Sequence, residues 1–252
     1  MSATELIHDL SRHGLVVRGV LSATAADTRP AWLGSEPARL WLVGTVGPAM
    51  WAPFAASPEH RDGQPDALDR WSQRIATHWA QRLHGRALFP FGGPPHWPFQ
   101  RWADRAEALT PSPLGLRLHP EHGLWHAYRF ALVLPQGIPA PTPAPATSAA
   151  EGACATCPSK CVKACPVGAH DHGFDLQRCM AHLRTPAGRT CLDLGCQARA
   201  ACPEGPDSVY GAEQAAFHMR AFAAHHAGVS DGRAVGGLRL PHFHKPLSQM
   251  DA

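Results

Sequence analysis

The cysteines constrain this chain more than any other feature. All eight fall between Cys154 and Cys202, and the 153 residues before them contain none. Thiols packed into so short a stretch read either as a disulfide framework or as metal ligands. Disulfide frameworks suit small secreted domains. The N-terminus, MSATELIHDLSRHG, mixes acids and a histidine with its apolar residues. It lacks the basic start, apolar core and small-residue cleavage site of a signal peptide. A cytoplasmic protein with metal-bound cysteines is therefore expected.

The spacing narrows the metal. The first motif is Cys154-x2-Cys157-x3-Cys161-x3-Cys165-Pro166, and the second set is Cys179, Cys191, Cys196 and Cys202-Pro203. A [4Fe–4S] cluster needs four thiolates from converging directions. Three close cysteines supply three corners, and in two-cluster ferredoxins the cysteine before proline ligates the other cluster. Carried over to this chain, that rule assigns Cys154, Cys157, Cys161 and Cys202 to one cluster. The other takes Cys179, Cys191, Cys196 and Cys165, with no thiol left over. Each proline turns the chain away and leaves no amide to desolvate. The gaps depart from the usual x2, x2, x3 order, because the second is x3 and the later set has x11, x4 and x5. Structural zinc is the competing reading, since CxxC pairs suit it too. The paired Cys-Pro endings favour iron and sulfide. With eight thiolates present, His170 and His172 read as solvated turn residues.

The rest of the chain offers neither a nucleic-acid nor a membrane signal. A net charge of +3 without a basic block is too small for nucleic acid. No stretch approaches the ~18 consecutive apolar residues of a membrane span. Residues 4–13 read as a helix ending at Gly14, followed by the strand LVVRGVL and a second strand over 38–47. Asp66 is placed to cap the helix DALDRWSQRIATHWAQRLHG, with Gly85 as its stop. RALFPFGGPPHWPF interrupts regular structure, and QRWADRAEAL is a brief helix. LGLRL reads as a strand before a turn at Pro120–Gly123. Leu124–Leu134 reads as a long strand whose Trp125, Tyr128, Phe130, Leu132 and Leu134 alternate as in a half-buried sheet. Residues 135–150 form a Pro/Ala linker, and a helix is expected around 208–226. The Gly-rich tail carries His242 and His244, which read as solvated.

Two resemblances follow from these motifs. CATCPSKCVKACPVGA, LQRCMAHLRT and CLDLGCQARAACPEG together resemble the ferredoxin domain of epoxyqueuosine reductases and reductive dehalogenases, over residues 153–205. The isolated Cys179 after Arg178 is the most specific detail. LRLHPEHGLWHAYRFALVLPQGIPAP is similar to a segment of the cobalamin-processing proteins of the CblC (MMACHC) type. His119, Pro120, Gly123, Trp125 and Arg129 stand in that family's His-Pro-x-x-Gly-x-Trp-x-x-x-Arg positions. LWLVGTVGPAMWAPF resembles its strand and Pro-Ala-Met segment. FPFGGPPHWPFQRWA has no carboxylate before Asp104, where epoxyqueuosine reductases place a proton donor, and their long C-terminal repeat region has no counterpart. That reaction is not expected.

Together the resemblances imply an α+β chain. A flavin-reductase-like (CblC-like) sheet domain with helices would span 1–134, with a linker over 135–150. A small helical dicluster ferredoxin domain would follow over 151–228, and a tail over 229–252. The implied function is electron transfer from an external donor, through two [4Fe–4S] clusters, to cobalamin in the first domain for reductive processing. A plain ferredoxin-type carrier, or flavin in place of the corrinoid, are the alternatives. His119, Trp125 and Arg129 are the candidate cofactor-binding residues. Arg129 inside an apolar strand needs a partner, either a cofactor phosphate or amide or a carboxylate such as Glu121. Trp97 and Trp102 are candidate walls for a flat cofactor, whereas Trp71 and Trp79 read as core.

Overall fold

The computed structural model describes residues 2–22, 38–141 and 153–228. The expected tail and most of the expected linker, with His242 and His244, lie outside them. The first half contains α1 (Ala3–Arg12), β1 (Val16–Ser22), β2 (Ala38–Val46), α2 (Trp51–Ala55), α3 (Pro58–Arg61) and α4 (Ala67–Arg82). After these come β3 (Arg86–Leu88), α5 (Phe99–Ala106), the short β4 (Thr110–Pro111) and β5 (Arg117–Leu118), and β6 (His126–Pro135). The cysteine region is helical: α6 (Ala153–Thr156), α7 (Lys160–Lys163), α8 (Leu176–Leu183), α9 (Arg189–Leu194), α10 (Gln197–Ala200) and α11 (Ala212–His225). The fold is thus mixed α+β.

Four strands form one antiparallel sheet in the order β1-β2-β6-β3. α1 opens with a reciprocal capping box between Ser2 and Glu5, satisfying amides that a helix start leaves unpaired. Its Leu6 and Leu10 join Trp71, Ile75 and Trp79 of α4 against Trp41, Phe130, Leu132 and Leu134 on one sheet face. On the other face Phe99 and Trp102 of α5 pack on Leu40, Leu42, Ala131 and Val133. Helices therefore cover both faces, and residues 130–134 are buried without a break. This replaces the alternation expected of a half-buried strand. Each fully buried large apolar side chain contributes roughly 1.5–3 kcal/mol.

Three local expectations change. Asp66 stands at the start of α4 in the left-handed region, φ 54°, and makes no side-chain cap. Arg70 organises that entry instead, donating to the Pro65 carbonyl at 2.9 Å and to Asp62 at 2.7 Å. At the other end His84, φ 53°, adopts the left-handed turn. Gly85 is needed because a Cβ there would meet the Val133 carbonyl oxygen at 2.4 Å. That approach lets β3, a strand absent from the sequence reading, pair with β6 directly after the helix.

Both inner strand pairs are bulged at the same level of β2. Arg18 has no partner between the pairs Val17–Val43 and Gly19–Leu42. Arg129 likewise stands unpaired between Gly44–Tyr128 and Val43–Phe130. A bulge inserts one residue and re-aims its side chain. Here the two arginines leave the sheet on opposite faces, Arg18 toward Glu107 behind α5 and Arg129 toward Asp69 of α4.

Candidate functional site

Short helices and turns bring the cysteines together. Cys161 lies in α7. Asp175 caps α8 by accepting from the Arg178 amide at 2.9 Å, which fixes the turn of helix carrying Cys179. Cys191 lies in α9, which ends at Gly195, φ 96°. Cys196 and Cys202 flank α10. Burial raises the pKa of Cys154, and its nearest thiols, Cys202, Cys161 and Cys157, raise it further. Burial likewise pushes Cys179 up to about 11, with Cys196, Cys165 and Cys191 adding to the effect. The thiols whose charges act on Cys154 thus include Cys202 of the later set, and those that act on Cys179 include Cys165 of the first motif.

The surroundings suit thiolates. The Ala169 amide donates to Cys165 Sγ at 3.3 Å, and Gln197 Nε2 donates to Cys191 Sγ at 3.5 Å. Backbone amides of Arg199 and Ala198 lower the pKa of Cys196 against the burial that raises it, and the Glu204 amide does so for Cys202. Crowded, half-buried thiols resist ionisation unless a cation shares the charge, and amide donors to sulfur are the partners that bound thiolates take. The donor set fits iron–sulfur ligation. All eight cysteines are free thiols. Among the described residues no three Cys, His, Asp or Glu side chains converge on a single-ion site. His170 stacks on Phe174 with ring centroids 5.1 Å apart.

The first half closes over five of the thiols, drawn from both cysteine sets. Leu114, Leu118 and Leu124 form an apolar cluster with Cys161 and Ala198, against which Cys154, Cys165, Cys196 and Cys202 pack. The approach is closest at the turn after His119. A Cβ on Gly123 would lie 2.0 Å from the Glu204 carbonyl oxygen, and one on Gly205 would lie 2.3 Å from the His122 carbonyl carbon. His122 Nδ1 also meets Ser208 Oγ at 3.0 Å. Beside this seam Arg199 lies over the rings of Trp125 and Tyr210, 4.7 and 4.6 Å from their centroids.

A cleft of ≈ 1100 Å³ opens between α4 and α11. Arg129, Asp69, Trp51, Phe217 and His218 are among its walls. Arg129 donates to Asp69 Oδ1 at 2.5 Å and to Ser72 Oγ at 3.1 Å. Its partner is thus Asp69 rather than Glu121. Burial lowers the Arg129 pKa while Asp69 opposes that shift. His218 is held neutral, its pKa pushed down from 6.5 to about 4 by burial and by the charges of Arg199 and Arg129. One turn before it, fully buried Gln214 has neither amide atom partnered.

The three sequence candidates do not share this cleft. Arg129 lines it, but Trp125 is buried against Tyr210 at the seam between the halves. His119 caps its own turn, its Nδ1 accepting from the amides of Glu121 and His122 at 3.0 and 3.1 Å. That bonding leaves the ring proton on Nε2, 3.7 Å from Glu107. Burial, then Arg18 and the neighbouring histidines, push the His119 pKa down to about 3. Trp102 is fully buried in the α5 core with half-buried Trp97 stacked on it, and neither lines the cleft. Sequence reasoning missed Arg18, although it interrupts an apolar strand as Arg129 does. It also missed Asp69, His218 and Arg199, which carry no spacing signal.

No helix among the described residues is long and apolar enough to cross a membrane. Comparison with known protein families and with curated proteins finds no match.

Proposed function

We propose that this protein carries electrons through two [4Fe–4S] clusters to a corrinoid substrate held in the cleft above Arg129. Cys154, Cys157, Cys161 and Cys202 would hold one cluster, and Cys179, Cys191, Cys196 and Cys165 the other. Such clusters, when bound, supply one-electron redox chemistry. The chain's own residues do the rest. Leu114, Leu118 and Leu124 keep water from the side on which Cys154, Cys161, Cys165, Cys196 and Cys202 pack, and backbone amides donate to sulfur. The observation that carries the reading is that Cys202 acts on Cys154 and Cys165 on Cys179, each Cys-Pro cysteine reaching the other set.

The corrinoid rests on size and position. The cleft, ≈ 1100 Å³, stands at the upper end of the roughly 300–1,000 Å³ of ordinary small-molecule sites, room enough for a large macrocycle as well as for a flavin. It lies between the sheet and the helix packed on α9, so a ligand there would sit beside the cysteine region. The finer description of the first half as CblC-like belongs to the same proposal. The four-stranded antiparallel sheet covered by helices is in keeping with it.

One observation favours the plain electron carrier. Arg129 is already satisfied by Asp69 and Ser72, so its charge requires no ligand. Anaerobic reconstitution followed by metal and sulfide analysis tests the clusters, and cobalamin titration tests the cleft. Equal iron and sulfide, at two clusters per chain, with a shift of the corrin spectrum to a base-off form, is the expected result. Zinc without sulfide overturns the proposal entirely. Intact clusters with no shift at micromolar protein leave the carrier reading.

A further inference from the structure

The second cysteine set holds an arginine that neither quartet needs as a ligand. Arg199 lies three residues after Cys196 and three before Cys202, which belong to different quartets. Its amide is directed at Cys196, and its guanidinium donates to the Leu124 carbonyl at 2.5 Å. Leu124 itself packs in the apolar cluster that contains the thiols.

What distinguishes Arg199 is the lack of a counter-charge. Arg18 is paired bidentately with Glu107 and Arg129 with Asp69. Among the described residues no carboxylate lies within ion-pair distance of Arg199, and its Nε is buried without a hydrogen-bond partner. The planar guanidinium is held instead by the faces of Trp125 and Tyr210, a setting that suits arginine and not a lysine ammonium. A half-buried cation that is not neutralised projects its field into its surroundings. His126 and His218, on either side of the seam, both have their protonation opposed by it.

We propose that Arg199 is a tuning residue that raises the reduction potentials of both clusters. The inference rests on the iron–sulfur reading above. Reduction adds one negative charge to a cluster, and a fixed cation nearby in a weakly polar setting stabilises the added charge. Trp125 and Tyr210 then act as the clamp that keeps the charge at the seam. The effect reaches both clusters because the guanidinium bonds Leu124, which shares its apolar cluster with Cys154, Cys161 and Cys202 of one quartet and Cys165 and Cys196 of the other.

The test is a redox titration of the anaerobic holoprotein, followed by electron paramagnetic resonance, with Arg199→Gln and Arg199→Lys. Arg199→Gln is expected to lower both midpoints, disfavouring reduction by about tenfold, or ~59 mV for a one-electron couple. Arg199→Lys keeps the charge and is expected to hold most of the wild-type value despite losing the stacking. Unmoved midpoints in both variants overturn the inference, and so does an equal fall in both, which would trace to lost packing. If Arg199→Gln fails to retain iron, Arg199→Met, which keeps the stem between the rings, carries the same comparison. Wild-type protein without sulfide removes the cluster proposal instead, an outcome the metal analysis separates from the others.

Discussion

The docking of the two halves on each other can be tested at a single atom. Gly123 and Gly115 both have left-handed backbones, φ 55° and 75°. A Cβ on Gly115 meets nothing within 4 Å, whereas one on Gly123 would lie 2.0 Å from the Glu204 oxygen and 2.5 Å from its carbon. Alanine at either position costs about 1–2 kcal/mol of backbone strain. Only at Gly123 must two backbone segments also part. Parting them exposes Leu118 and Leu124, 1% and 2% accessible, at roughly 1.5–3 kcal/mol for each side chain fully lost to water. Partial separation forfeits about half of that, so Gly123→Ala should cost at least ~3 kcal/mol, about twice the control. With ~2–4 °C per kcal/mol for a chain of this size, Gly115→Ala should lower Tm by about 2–8 °C and Gly123→Ala by at least about 6–12 °C, some twice as much. Thermal unfolding of the anaerobic holoprotein measures both. Equal losses in the two variants would refute the close seam, because strain alone would then account for Gly123.

Other consequences are separable. Cys202→Ser should cost the chain about half its iron, and spectroscopy should show the surviving cluster to be that of Cys179, Cys191, Cys196 and Cys165; loss of that cluster instead would reject the exchange of Cys-Pro ligands. Asp69→Ala strands the buried Arg129 guanidinium and should lower stability by about 3 kcal/mol in chemical denaturation, whereas Asp69→Ala with Arg129→Met should recover most of it. His126 and His218 both titrate near 4 in the folded chain, against 6.5 when exposed. The unfolded chain therefore binds more protons below 6.5, so stability is full above that pH and declines as pH falls toward 4, by up to ~3 kcal/mol per histidine. His218→Gln should flatten part of this slope between pH 7 and 5, and an unchanged slope would mean that His218 is hydrated in solution.

The sequence declared the parts whose chemistry is local. Cysteine spacing marked residues 154–202 as one thiol-rich region, and the structure gathers these thiols on short helices and turns. The helices with Leu6 and Leu10, or Trp71, Ile75 and Trp79, were visible from period alone. β6 was placed correctly but misread as half-buried, since a run such as FALVL does not reveal that α5 covers its second face. β3 was hidden because three residues carry no period, and its pairing depends on Gly85 approaching Val133. The cofactor candidates fared unevenly for a related reason. Arg129 was conspicuous as a charge in an apolar strand, but nothing local indicates that a bulge turns it toward Asp69, sixty residues away. His119 and Trp125 stood out by motif, yet their surroundings come from Glu107 and Tyr210, at other points along the chain.

The leucine wall has a meaning in time as well as in space. Leu114, Leu118 and Leu124 precede the first cysteine, Cys154, and the four-stranded sheet of the same half is complete by Pro135. A chain made from its N-terminus, with domains folding as units as they emerge, would present a finished apolar platform before any thiol leaves the ribosome. The cysteines would then be laid onto a surface already shaped for them. An isolated C-terminal fragment would lack that mould, and Cys154, Cys161, Cys165, Cys196 and Cys202 would meet oxygen and water on a side that the whole protein keeps dry.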